Sequence, residues 1–310
     1  MTHQFSVLIP THNRHEKLRR LLSYLSNYFI EVVIVDSGKI PYEPEVNDFV
    51  KYFHKPELNF KQKVIFGAEI LTTDYIFLSA DDDFPLIGRI EEVLNRVETK
   101  FSLLVGPVGL FNESFDGNYL IQGDKLGAGV YTEHNVSKFL GNYSQVLWGL
   151  YNRLSIIRVF RVIDEYAFEN DNFIELVIAP FMASESSLIK VSDVLYVREI
   201  TTEEHWGSRH IPLRETYVTK KQQFLVDFAK YLSLFKGSDA AGFIAAYLGD
   251  STQSAGPVSL LRIKIKRVIP RSVLSLIKPW FARGTPLIAD SSLEEVSEVL
   301  MKYAENRREL

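Results

Sequence analysis

At 310 residues, 46% hydrophobic and 24% charged, the chain has the composition of an ordinary globular protein, and disorder as its main state is excluded. It has no cysteine, so disulfides, thiolate metal sites and thiol chemistry are ruled out, and carboxylates, histidines, hydroxyls or a metal must carry any reaction. The net charge of -4 names no partner by itself, no apolar run reaches the ~18 residues of a membrane span, and no signal peptide is readable, which makes a cytoplasmic location the expectation.

Residues 5–9 predict a short apolar strand closed by Pro10, and Leu18, Leu21, Leu22 and Leu25 then repeat at helical spacing. Residues 32–35 are all apolar and β-branched, as a strand buried on both faces requires, and they end at Asp36, Ser37 and Gly38. After an irregular, proline-containing stretch, residues 61–71 have helical character, and residues 75–79 predict a third buried strand that runs into Asp81, Asp82 and Asp83. Strands alternating with helices imply right-handed crossovers and a mostly parallel sheet, so the fold expected is α/β and Rossmann-like. Residues 101–111 read as a strand pair turning at Gly106 and Pro107 or as one long strand, and the region to about residue 149 reads as loops and short strands. Further on, residues 173–183 predict a helix, 188–198 two short strands, and 221–235 and 292–307 helices. The last opens with the capping box Ser292 and Glu295 ahead of Leu293, Val296 and Leu300.

Three adjacent carboxylates repel one another, and more so where a strand end lies near a core, unless a cation joins them. A hard divalent ion suits oxygen ligands, and Mg²⁺ typically takes one or two carboxylates together with substrate phosphates. In open α/β sheets ligands bind beyond the carboxyl ends of the strands. Thr11, His12, Asn13 and Arg14 follow the first strand, Asp36 and Ser37 the second, and the aspartates the third, so three strand ends converge on one polar rim.

In these three strand exits, taken in order, the chain resembles the nucleotide-sugar glycosyltransferases of the GT-A fold, the family 2 group in particular, over roughly residues 5–200. The resemblance implies that Pro10, Thr11, Arg14, Ser37 and Lys61 line the donor pocket and that Asp36 accepts hydrogen bonds from uracil or ribose. It implies that Asp83 binds Mn²⁺ or Mg²⁺ directly, that Asp81 holds ribose or shares the metal, and that Asp82 stands beside them on the donor side. His205, in the loop after residue 200, would be a further metal ligand. The stretch Phe168, Glu169, Asn170, Asp171 is similar to the region that carries the family's catalytic base, although Asn170 interrupts the usual Glu-Asp pair. Asp171 and Glu175, one helical turn apart, are rival bases, with Asp171 favoured on position. Trp148 and Tyr151 are candidates for stacking on an acceptor sugar.

The activity this implies is an inverting, metal-dependent transfer of a sugar from a nucleotide donor, UDP favoured, to a hydroxyl of a glycan or lipid-linked saccharide, as in bacterial surface polysaccharide synthesis. The alternatives are a nucleotidyltransferase of similar fold, which would want a glycine-rich basic first loop that is missing, or a non-catalytic glycan-binding scaffold. Residues 1–215 are expected to form the catalytic domain, with a nucleotide-sugar half to about residue 110 and an acceptor half beyond it. Residues 216–310 are expected to form a helical extension. Within that extension, residues 251–289 hold no acid but include Arg262, Lys264, Lys266, Arg267, Arg271, Lys278 and Arg283 among apolar residues, with Trp280 and Phe281 near the end. Such a pattern over residues 255–285 points to peripheral contact with an anionic membrane surface, against helices packed on the protein or on a neighbouring subunit of a homo-oligomer. Nucleic acid is not expected, because the rest of the chain is acidic.

Overall fold

The computed structural model describes residues 4–43, 48–112, 118–121, 126–141, 145–200, 216, 219–236, 239–253, 285–286 and 291–308. From the amino terminus the elements run β1 (Phe5–Thr11), α1 (His15–Leu25), β2 (Val32–Asp36), β3 (Val50–His54), α2 (Phe60–Ile70), β4 (Tyr75–Leu78), β5 (Phe84–Pro85) and α3 (Ile87–Arg96). Next come β6 (Leu103–Val105), β7 (Val108–Asn112), β8 (Leu120–Ile121), β9 (Gly129–Tyr131), α4 (Val136–Gly141), β10 (Gly149–Asn152), α5 (Arg153–Tyr166) and α6 (Phe173–Glu185). The chain continues through β11 (Leu188–Lys190), β12 (Tyr196–Ile200), α7 (Lys221–Leu234), α8 (Ala240–Gln253), β13 (Thr285–Pro286) and α9 (Ser291–Arg308).

Side chains alternate across each central strand, and that period of two sorts the core into two layers. Phe5, Val7 and Ile9 of β1, Val32 and Ile34 of β2 and Phe77 of β4 face one layer, which also holds Leu18 and Leu21 of α1 and Ile87 and Ile90 of α3. Leu8, Val33, Val35, Ile76 and Leu78 face the other, with Val64 of α2, Phe160 of α5 and Val177 of α6. The central sheet has eight strands in the order β3-β2-β1-β4-β10-β6-β11-β9. β1 pairs in parallel with β2 on one side and β4 on the other, so the direction of winding reverses at β1, and a crevice opens at its carboxyl end. β10 is antiparallel to both neighbours.

A second sheet, β13-β8-β7-β12-β5, packs beside the first. Gly106 and Pro107 mark where the chain leaves one sheet for the other, since β6 and β7 do not pair and the expected hairpin is absent. A side chain at Gly106 would meet the Asp193 carbonyl oxygen at 2.1 Å, so only glycine permits the crossing. β1 runs through Pro10 to Thr11, past its predicted end, because Thr11 stays in register with Asp36 of β2. β3 was not foreseen: it is a half-buried strand at the sheet edge, and its lysine and histidine interrupt the apolar run. The helices expected as an extension share the two existing layers. Phe224 and Tyr231 of α7 and Phe243 of α8 lie in one, and Leu293, Val296 and Leu300 of α9 lie in the other. No helix among the described residues is long and apolar enough to cross a membrane. His205 and residues 255–284 fall outside the described residues.

Candidate active site

The three aspartates follow β4 in the crevice beside β1, and all are buried. The Thr11 hydroxyl donates to Asp81 Oδ2 at 2.6 Å. Arg14 forks, Nη1 to Asp81 Oδ1 at 2.7 Å and Nη2 to Asp82 Oδ2 at 2.6 Å. Arg20 donates to the Asp82 carbonyl at 3.2 Å, and Arg198 Nε reaches Asp83 Oδ2 at 3.4 Å. Burial pushes the carboxyls of Asp81 and Asp83 above the usual range, each raised further by its acidic neighbours, while Arg14 and Arg198 respectively oppose the shift. The cluster thus sets three carboxyl groups against Arg14, Arg198 and Lys63. The Arg14 side chain is 24% exposed, so a ligand arriving from solvent can reach it.

Arg198 comes from the second sheet. β5 follows directly on the aspartates and pairs antiparallel with β12, Phe84 against Val197, which carries Arg198 alongside Asp83. The next residue on β12, Glu199, is buried between Lys17 Nζ at 2.6 Å and Arg20 of α1.

At the exit of β2, Asp36 is enclosed by the chain's own donors. Its Oδ1 accepts from Gly38 N–H at 2.7 Å, and its Oδ2 from the Tyr52 hydroxyl at 2.8 Å, with His15 Nε2 at 3.2 Å. Asp36 thus orders the loop. Ser37 Oγ accepts from Lys63 Nζ at 2.9 Å, and Lys63 also donates to the Thr11 carbonyl at 2.6 Å, joining the ends of β1 and β2. Burial lowers the Lys63 pKa to about 8, against the pull of Asp81 and Asp36. Pro10 is a buried strand residue paired with Val35. Asn13 sits in the left-handed region at φ 55°, and its side chain accepts from Lys39 N–H at 2.9 Å.

Lys61 Nζ lies 3.5 Å from Asp171 Oδ1. Asp171 stands just before α6, where its carbonyl accepts from Ile174 N–H, while Asn170 is turned inward. Glu175, in the first turn of α6, is half-buried, and burial pushes its pKa up to about 7 against the attraction of Arg198. The rival acids therefore face different cations: Asp171 meets Lys61, and Glu175 shares Arg198 with Asp83.

Tyr151 is corrected to a core residue. It is fully buried on β10 between β4 and β6, and its hydroxyl lies 2.6 Å from the Val146 carbonyl and 2.9 Å from that of Leu147, so it offers no face to a sugar. Trp148 is half-buried, edge-on to Phe60 at 6.1 Å. Lys63, Arg198, His15 and Glu199 were not anticipated. The one signal for the second and fourth was two adjacent charges inside an otherwise apolar strand.

The oxygen donors of the aspartate cluster fit a hard divalent cation in kind, since three buried carboxyl groups stand together. Among the described residues no three carboxylate or histidine groups converge on one point. The chain would hold such an ion through Asp83, which Arg198 meets at 3.4 Å, with Asp81 beside it and substrate phosphate oxygens as further ligands.

The sequence model of the family described as Glycosyl transferase family 2 matches residues 6–169. The sequence matches no curated protein. Among solved structures, S. aureus TarS 1-349 in complex with UDP-GlcNAc is 15% identical, with TM-score 0.51 over 81% of this chain and 71% of that one. S. aureus TarS 1-349 without that ligand is 13% identical, with TM-score 0.51 over 99% and 83%. A longer S. aureus TarS chain is 14% identical, with TM-score 0.50 over 84% of this chain and 45% of that one. At such identity the likeness is one of fold.

Proposed function

The chain belongs to glycosyl transferase family 2 and is a glycosyltransferase that uses a nucleotide sugar, and from that premise we propose an inverting transfer from a nucleoside-diphosphate sugar, UDP favoured, to a hydroxyl of a glycan or lipid-linked saccharide. The observation that carries this reading is the set of three buried carboxylates at the exit of β4, faced by Arg14 and Arg198. The ends of β1 and β2, with His15, Ser37 and Lys63, receive the nucleoside, and Arg14, partly exposed, is a cation that a diphosphate can engage. Asp83 and Asp81, with His205 as a further ligand, would hold Mn²⁺ or Mg²⁺, which would supply neutralisation of the charge on the departing diphosphate.

The chain's own residues do the rest. Asp171 takes the proton of the acceptor hydroxyl as its oxygen attacks the anomeric carbon from the side opposite the leaving group. Lys61 Nζ stands 3.5 Å from that carboxylate. Glu175, one helical turn on, and Arg198, which acts on it, orient the acceptor. The basic residues 255–285 make the peripheral contact with an anionic membrane that would present a lipid-linked acceptor. In S. aureus TarS the ligand named is UDP-GlcNAc, which makes UDP-GlcNAc the first donor to try here.

Calorimetry of UDP binding with and without Mn²⁺, followed by a screen of UDP-sugars for UDP release, tests the reading. We expect Mn²⁺ to tighten UDP binding at least tenfold and Asp83→Ala to abolish that gain. Binding that ignores the metal in the unaltered protein would sink the metal role.

A further inference from the structure

The loop that carries Asp171 is fastened by a side chain 57 residues farther along the chain. We infer that Asp227, on α7, is a positioning residue for the catalytic base: its carboxylate grips the backbone ahead of α6 and so fixes where Asp171 stands. The inference rests on the assignment of Asp171 made above.

Asp227 is 0% exposed. Its Oδ1 accepts from the Glu169 N–H at 2.8 Å and its Oδ2 from the Asn170 N–H at 2.8 Å. Two successive amides thus meet the two oxygens of one planar group. Hydrogen bonds to an ionised acceptor are roughly twice as strong as neutral ones. Both amides precede the helix, so no intrahelical carbonyl is available to them, and Asp227 replaces it. The grip passes directly into α6. The Asn170 carbonyl accepts from Phe173 N–H at 2.9 Å, its side-chain oxygen accepts from Asn172 N–H at 2.9 Å, and its amide donates to Thr216 Oγ1 at 2.9 Å.

α7 holds the same segment on either side as well. Lys230 Nζ donates to the Ala167 carbonyl at 2.7 Å, and the Tyr231 hydroxyl to the Leu176 carbonyl at 3.2 Å. The rings of Phe224 and Tyr231 pack on Phe173, with centroids 5.9 and 6.1 Å away. Those apolar contacts suffice to hold α7 on α6, and a buried charge generally adds little stability that a packed hydrophobe would not. The carboxylate is there to hold two amides at fixed points, in the residues immediately before the base. A misplacement of about 1 Å at a reacting group can cost ~10²-fold in rate.

Asp227→Asn keeps the size of the side chain but turns an amide group against one of the two N–H donors. Hydrogen exchange should accelerate at least tenfold in the peptide containing Glu169 and Asn170 and stay unchanged in β1, β2 and β4. The kcat for UDP release, with whichever UDP-sugar the unaltered protein turns over, should fall about 10- to 100-fold. The Kd for UDP with Mn²⁺ should stay within twofold, and Asp227→Glu should restore part of the loss. In an Asp171→Asn background the same substitution should change the residual kcat less than twofold. An unchanged kcat in Asp227→Asn beside an inactive Asp171→Asn would overturn the clamp alone, as would faster exchange throughout the protein with loss of UDP binding. An Asp171→Asn protein of undiminished turnover would remove the base assignment, and this inference with it.

Discussion

The donor rim and the base side of the site are built in opposite ways. On the rim, Thr11, Arg14, Asp36 and Asp81 stand at the exits of β1, β2 and β4, where Thr11 and Arg14 both bond to Asp81 and Thr11 pairs in register with Asp36. On the base side, Asp171, Glu175 and Arg198 come from a helix start and from a strand of the second sheet, and they are held by α1 and α7. A rim made from strand ends follows from the topology of the sheet. A base held by distant helices can be displaced without disturbing nucleotide binding, so the two halves should fail separately.

The largest expected effect separates the bases. Asp171→Asn should lower kcat by ~10²–10⁴ with UDP binding intact, while Glu175→Gln should cost about tenfold or less. The reverse order in a turnover assay would move the base to Glu175. Next comes Glu199→Gln, which leaves Lys17 and Arg20 buried against a neutral group, a change that typically costs about 3–5 kcal/mol. Chemical denaturation should show it as a lower midpoint, and a midpoint unchanged from the parent would mean that β12 is not held by that trio.

A smaller effect is set by pH. The Glu175 carboxyl ordinarily titrates near 4.5 and is pushed up to about 7 in the folded protein, mainly by burial. The folded state therefore holds a proton that the unfolded chain releases, and stability is lost as pH rises from the lower value through the upper one. Glu175→Gln should melt a few degrees above the parent at pH 8 and level with it at pH 5. Equal melting temperatures at both would show that Glu175 is not confined as described. The smallest effect concerns the basic segment. Reversing Lys264, Lys266 and Arg267 to Glu should reduce sedimentation with anionic liposomes and leave UDP binding unchanged, whereas undiminished sedimentation would remove the membrane contact. Truncation would be a poorer probe, because Leu293, Val296 and Leu300 of α9 belong to the core.

The same contrast explains what could be read in advance. Apolar runs that stop at Thr11, Asp36 and Asp81 announce both a buried parallel sheet and the side of it where ligands bind, because a strand's exit is local to its sequence. Arg198 and Lys63 gave no such sign. A single basic residue in a strand or an amphipathic helix looks solvated until the opposing layer is known, and Lys61, two positions from Lys63, was the equally plausible choice on sequence grounds. Tyr151 was misjudged for the same reason: an aromatic face suits a sugar and a core alike, and its strand lies between β4 and β6 in the middle of the sheet. Asp227 is harder still to read, since its role depends on a helix folding back over a loop.

The docking of α9 also bears on how the protein is made. Tyr28, just after α1, meets Glu295 of α9, 267 residues later, and Tyr119 lies 3.0 Å from Ser297. During synthesis the outer side of α1 must therefore wait, apolar and uncovered, until almost everything up to Leu300 has left the ribosome. Contacts spanning so much chain are slow to form and leave greasy surface open to aggregation in the interval. The growing polypeptide is thus vulnerable at α1 until α9 arrives.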